Sequence, residues 1–511
     1  MQSLRQYRCI DRSVQHGILQ HAEKEFPRGD FPDALNGKSN SDLTQFHEFT
    51  CSTISPPDSS LDLSPIEASA VIPVQWDASD CHLNPRQYSV RRKAALTAVV
   101  AIIAIAVTAS SAIDAAGAAE YQAYFGVSDV VASLPTGFGL GSPISGPFSE
   151  TFGRSVVYIV TLIIFLLLIM ASALAPNLAS HLVFRFTAGV FAATPLTCAG
   201  GTVSGLWDPL QKTYGFPIYA IPAFTGPMIG QVIGSYIPST LGWRWLEWIM
   251  LITGGIVLVT VVLLQKETYQ DLLLQWKAIA LRKRTGNQYY MGPMELRSLS
   301  LRQRLALAIY RPFTWGLTEP IVILMSLYLM AVYIILFLFL EGYRFIFKDI
   351  YHFSEGQTNL VWMAMVVGTV SSAIKCYSST GCLDMDQEGV QANRMHSAGK
   401  PTLLSISVWS PICATALFGF GITTVFISTH MYVIDSYEKF SASALAMLVL
   451  SRYLAAGGMT IAGNLIYSEF GVPYTLSTLG AISAVMAIIP YLFYIHGHRI
   501  RKASKHAVIQ D

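Results

Sequence analysis

The chain of 511 residues is predicted to be an all-α polytopic membrane protein, and three observations carry that prediction. A series of apolar stretches begins at Ala94 and ends near Ile495, and a helix needs about 20 mostly apolar residues to cross a ~30 Å hydrocarbon layer. Hydrophobic residues make up 52% of the chain and charged residues 13%, with the charges gathered between the apolar runs. Backbone inside such runs has no water to bond, so only helices or a closed barrel satisfy it. Finally, stretches such as Val156 to Ala175 and Trp248 to Leu264 are continuously apolar instead of alternating, which selects helices.

In chain order, residues 1–90 are rich in Ser, Pro and Asp, as from Ser52 to Ser64, and show no sustained apolar period. They are expected to form a disordered cytosolic tail without a cleavable signal. Expected spans follow at Ala94–Gly117, Val130–Pro147, Val156–Pro176, Leu182–Ser204, Tyr214–Ile237 and Leu246–Leu264, a six-helix bundle over 91–265. A basic bridge occupies 266–313. A second bundle over 314–496 holds Trp315–Leu340, Leu360–Ser379, Leu403–Tyr432, Ala442–Ile466 and Leu476–Ile495, and a basic cytosolic tail covers 497–511.

Orientation is read from Lys and Arg in short flanking loops. Arg91, Arg92 and Lys93 precede the first span, Arg154 follows the second, Lys212 follows the fourth, and the bridge carries Lys266, Lys277, Arg282, Lys283, Arg284, Arg297, Arg302, Arg304 and Arg311. These sites place the bridge in the cytosol. Five further spans would leave Arg499, Arg501, Lys502 and Lys505 outside. A sixth has room only between Thr402 and Tyr432, whose 31 residues reach about 46 Å as helix, whereas two crossings need roughly 60 Å. The count is therefore 6 + 5 or 6 + 6, with one helix of the second half missing.

Gly146-Pro-Phe-Ser-Glu150-Thr-Phe-Gly153-Arg154 resembles the cytosolic loop signature of the major facilitator superfamily in its fungal multidrug form. Arg185-Phe-Thr-Ala-Gly189 resembles a second signature, and Gly226-Pro227-Met-Ile-Gly230 resembles the antiporter signature. Trp243-Arg-Trp, Glu267-Thr-Tyr, Trp276-Lys-Ala and Ser441 to Ala446 are similar to segments of the same branch, in the same order. The resemblance covers about Trp76 to Ile495 and implies a two-bundle, twelve-helix drug:proton antiporter that exports drugs or toxins. It implies that Glu150 and Arg154 lock a cytosolic gate, with Gly146 and Gly153 supplying the turn. There are departures: Gln231 and Ser235 follow Gly230 and Gly234, Gly205 stands where the family has an acid, and the family's ninth helix is lacking after Pro401. A transport-incompetent relative is therefore the competing reading.

Gly226, Gly230 and Gly234 recur every four residues, which lets a neighbouring helix approach one face, with or without an antiport role. Arg185 lies within a span, where a charge costs at least ~2.5 kcal/mol, so it either faces a partner inside or snorkels. Arg452, placed similarly in the penultimate expected span, suits an interhelix pairing or a transport role. Proton exchange requires a carboxylate that titrates in the membrane, and Asp114 and Glu319 are the acids at span ends; each also reads as a hydrated mouth residue. Tyr328 and Tyr333, inside the seventh span, are the aromatic candidates for stacking on a flat substrate. The seven cysteines show no CxxC pair or ligand spacing, so no metal is expected. Neither a Gly-rich phosphate loop, an HExxH nor a nucleophile elbow is present, so no enzyme chemistry and no cofactor are expected. The expected partners are the lipid bilayer, a small-molecule substrate and protons, with no nucleic acid, at a plasma membrane.

Overall fold

A computed structural model gives the structure and describes residues 2–25, 71–77, 80, 82–113, 124, 141–296, 301–382, 409–437 and 441–504. Asp114, the part of the second expected span before 141, and the start of the ninth lie outside the described residues. The chain divides into two compact units, Met1–Ser89 with Lys266–Arg304, and Val90–Gln265 with Leu305–Asp511.

In the first unit, helix α1 (Gln2–Glu25) corrects the expectation of disorder for the start of the tail. Its apolar side is too narrow to be seen in composition: Ile10 and Val14 are buried with Leu83, Leu273 and Ala280, against Trp76 and Trp276. Polar pairs set its position. Gln6 donates to the Glu267 carbonyl at 3.1 Å and accepts from the Glu267 amide at 2.9 Å, and Arg284 Nη2 donates to Asp11 at 2.7 Å. Strand β1 (Ile72–Pro73) pairs in parallel with β2 (Tyr290–Met291). The buried Lys277 reaches Asp80 at 2.7 Å.

The second unit is a two-bundle helical membrane fold. The first bundle holds α2 (Val90–Ile113), α3 (Ser142–Phe152), α4 (Arg154–Ala173), α5 (Leu178–Leu206), α6 (Pro209–Tyr236) and α7 (Arg244–Leu264). The bridge helix α8 (Gln270–Thr285), in the first unit, ends at Gly286, and α9 (Leu301–Thr318) leads to the second bundle. That bundle holds α10 (Pro320–Tyr343), α11 (Trp362–Cys382), α12 (Trp409–Tyr437), α13 (Ser441–Met486) and α14 (Ile489–Ala503). Gly471 (φ 73°) breaks α13 into 441–470 and 472–486, so the run 472–503 is a separate crossing.

Side-chain contacts fix which helix ends share a face. Lys93 of α2 meets Asp208 and Gln211, Lys212 of α6 meets Asp435 of α12, Ser441 of α13 meets Ser204 of α5, and Arg501 of α14 lies on Tyr432. This is the basic face. At the opposite face the Tyr343 ring stacks on Trp362 at 4.1 Å and Tyr236 abuts Gly356. Helix α11 thus starts opposite the basic face, while α12 ends on it. Thr369 bonds Thr423 at 3.2 Å and Gly419 packs on Met365, so the neighbours α11 and α12 run in the same direction. Trp409–Tyr437 is one helix of 29 residues, about 44 Å long at ~1.5 Å per residue, which is one crossing and not two. The final helix consequently ends on the basic face, although only five crossings of this half are described.

Candidate functional site

The candidate residues fall at three depths. At the basic face, Gly153 takes φ 93°, a backbone conformation that only glycine adopts without strain, and it turns the chain between α3 and α4. The turn places Arg154, 8% exposed, against Gly201 of α5, where a Cβ would stand 3.2 Å from its Nη2. Ser149 caps the carbonyl of Gly146 at 2.7 Å. Glu150 faces Arg311 at 3.9 Å, an ion pair that joins the first bundle to the lead-in of the second. Lys212 and Asp435, 3.4 Å apart, join them again. Ser142 adds a bond to the Ala446 carbonyl at 3.3 Å. Glu319, 1% exposed, accepts from the Tyr437 hydroxyl at 3.1 Å.

At mid-depth, Arg452 is 2% exposed. It lies 11 residues beyond Ser441, about 17 Å along α13, near the middle of a ~30 Å core. Its guanidinium is 5.1 Å from the Tyr333 ring, 5.0 Å from Phe426 and 5.1 Å from Tyr453. Its Nη1 donates to His430 Nε2 at 3.0 Å. Arginine has only donors, so His430 Nε2 accepts and the proton sits on Nδ1, donated to the Phe426 carbonyl at 2.8 Å. Phe216 of the first bundle stacks on both Phe426 and His430, and Phe224 meets Phe426 at 4.7 Å. The rings offset part of the burial cost, each cation–π contact contributing ~0.5–2 kcal/mol. Tyr328 is buried on the same helix as Tyr333 but is not one of the rings around Arg452.

At the opposite face of the first bundle, Arg185 meets Glu247 of α7 at 3.3 Å. The same Glu247 oxygen accepts from Ser172 at 3.1 Å and lies 3.9 Å from His181. The two nitrogens Nη1 and Nη2 of Arg185 reach the Met250 sulfur at 3.6 and 3.7 Å. Sequence reasoning named Asp114 and Glu319 as the acids and passed over Glu247, which is fully buried. The signal was the i, i+4 spacing of His181 and Arg185, which puts two basic groups on one helix face and demands an acid opposite. His430 was passed over as well, because no spacing singled it out.

Gly226 and Gly230 fit α6 against α2: an added Cβ would fall 2.0 Å from Thr108 Oγ1 and 2.4 Å from the Ala109 carbonyl. Pro227 lies between them inside α6, and Gly234 is buried one turn on. Among the described residues no group of three or more His, Cys, Asp or Glu is placed to hold a metal.

Two helical bundles, joined by breakable ion pairs at one face and by a buried aromatic junction at mid-depth, define a membrane transporter. Residues 95–380 match the family model of the Major Facilitator Superfamily, and the chain belongs to that superfamily. It is 36% identical over 462 residues to the MFS-type transporter kojT of Aspergillus flavus, covering 84% of this chain and 82% of that protein. It is 30% identical to the MFS-type transporter oryN of Aspergillus oryzae, over 85% of this chain and 90% of that one. Among solved structures, the proton:xylose symporter XylE superposes with a TM-score of 0.54 at 12% identity, covering 80% of this chain and 96% of the other, a likeness of fold.

Proposed function

We propose that the protein exports small lipophilic organic molecules, such as drugs or secondary metabolites, across the plasma membrane in exchange for protons. The observation that carries this reading is the pairing of the bundles at the basic face, Glu150 with Arg311 and Lys212 with Asp435. Both pairs sit at the protein's edge and are partly hydrated, so each contributes little, about 0–1 kcal/mol. Weak contacts of this kind release easily, which a gate requires. By the distribution of Lys and Arg this face is cytosolic, and these pairs would hold the bundles together on the side of the cell interior. Rocking of one bundle against the other then opens a midplane site to alternate sides.

Phe216, Phe224, Phe426, Tyr333 and Tyr453 supply an adaptable apolar wall for a flat substrate. Of the expected proton-carrying acids, the described one is Glu319, buried at the gate and accepting from the Tyr437 hydroxyl. Arg154 braces the gate turn through α5, and Arg185 is held by Glu247 for helix packing. In the second reading, favoured by the common direction of α11 and α12, the chain is a transport-incompetent relative.

The test is accumulation of a lipophilic dye, Nile red, in yeast expressing the full chain or an empty vector, with and without a protonophore. Export lowers accumulation, the protonophore restores it, and a Glu150→Cys, Arg311→Cys pair arrests it when oxidised and recovers it on reduction. Accumulation of the dye and of a panel of toxic compounds identical to the vector control would sink the proposal and leave the second reading.

A further inference from the structure

Among the described residues, Arg452 is a buried positive charge without a carboxylate partner. Every acid on the helices around it is engaged elsewhere or lies at a helix end: Glu319 bonds Tyr437, Asp435 pairs with Lys212, Glu341 lies along Gly463 near the far end of α10, and Glu469 lies near the end of the 441–470 segment. Helix α6, which closes the box from the first bundle, contains no acid. The neighbour that its Nη1 bonds, His430, accepts through a neutral ring nitrogen and brings no negative charge. One edge of the guanidinium is thereby fixed by His430, while Nε, also buried, has no hydrogen-bond partner.

We infer that Arg452 is the recognition point for a planar aromatic carboxylate. Its Nε edge presents the donors, and Tyr333, Tyr453 and Phe426 present ring faces and edges for the conjugated body of the ligand. A guanidinium held on one side offers a fork that suits a carboxylate bidentately. The surrounding rings exclude water, which strengthens that pairing. Because Phe216 and Phe224 come from the first bundle and Phe426 from the second, an anion here touches both halves and its occupancy is sensed by both. The inference deepens the export reading, on which it rests only for what happens to the ligand after binding.

Binding is measured separately from transport. The full chain, purified in detergent, is equilibrated by dialysis with 2-naphthoate, 2-naphthamide or 2-naphthylmethylammonium, and bound probe is quantified. The expected order is naphthoate at least about tenfold tighter than the neutral amide, with the ammonium weakest, since a charge-assisted pair discriminates against probes lacking the anion. Arg452→Gln is expected to abolish the preference. Arg452→Lys keeps the charge without the fork and retains part of it, and His430→Gln, which leaves the arginine in place, weakens naphthoate a few-fold by loosening the brace; these two variants serve if Arg452→Gln fails to elute as a single species on size exclusion. Naphthoate and naphthamide binding within about twofold of each other, or naphthoate affinity unchanged in all three variants, would overturn the assignment. Naphthoate binding with no dye export would instead sink the export reading alone, and dye export without naphthoate preference would sink the anion site alone.

Discussion

Glu247 shows what a single buried charge demands. Its carboxylate is enclosed among Ser172, His181 and Arg185, and one of its oxygens, Oε2, carries no hydrogen bond among the described residues. Removing one member of a buried pair leaves the other charge stranded, at a cost of about 3–5 kcal/mol, whereas removing both is far milder. Glu247→Gln and Arg185→Gln are each expected to lower the thermal midpoint of the detergent-purified protein, and the double variant to melt above either single one. Strict additivity of the two losses would show that the pair is not coupled. Arg185 was legible in the sequence because a charge inside an apolar run announces itself. Glu247 was not, since it sits three residues into α7 beside Trp245 and Trp248 and reads as an ordinary interfacial residue. Arg452 was equally visible, yet apart from the adjacent Tyr453 its rings Tyr333 and Phe426 come from α10 and α12, more than twenty residues away in either case, and only the fold brings them together.

Helices carried by apolar length alone were readable, and those held by polar pairing were not. Expected spans such as Leu246–Leu264 differ from α7 by two residues at one end, because continuous hydrophobicity marks the crossing directly. Helix α1 escaped because its buried apolar set is small and the rest of its hold comes from side chains that pair with α8. The hydrogen bond from Arg284 holds the Asp11 carboxyl below its ordinary value of 3.8. A carboxylate whose folded pKa is depressed stabilises the docked state above its unfolded pKa and loses that contribution as pH falls through the folded value. Docking of α1 should therefore be unchanged from pH 7 to 5 and loosen below ~4. Because the pair is partly exposed, Asp11→Asn at pH 7 should cost no more than about 1 kcal/mol. Hydrogen exchange of the 2–15 amides is the readout, and unaltered protection in Asp11→Asn would refute the pair's role.

The packing glycines carry a different expectation. Gly230→Ala drives a methyl into the Ala109 carbonyl, an overpacking worth about 1–3 kcal/mol, seen as a lower thermal midpoint. By contrast Gly255, with nothing within 4 Å of an added Cβ, should accept alanine without loss. Equal effects at both positions would mean that α2 and α6 do not meet as described.

For the whole molecule, each bundle closes on its last helix, and the two closures differ. In the first, α7 packs against both α2 and α4, and 33% of its apolar window is buried. In the second, only 6% of the apolar window within Ala462–Phe493, a stretch that includes the Gly471 break, is buried. A segment so lightly covered leaves room for a further neighbour, which the crossing expected after Pro401 would supply. Sequencing of the transcript across the codons for 383–408 is expected to recover an in-frame insertion of about 20 apolar residues. An unaltered junction would favour the transport-incompetent reading.

The shared direction of α11 and α12 also has a consequence at birth, well before any substrate is met. Insertion machinery threads successive segments in alternating senses, whereas the described helices α11 and α12 enter in the same one. A translocon that receives this chain must therefore seat α12 in the sense opposite to the one that alternation with α11 dictates. Slow maturation and early disposal by quality control would set how much protein reaches its membrane, and pulse-chase labelling would register that loss as a shortened lifetime.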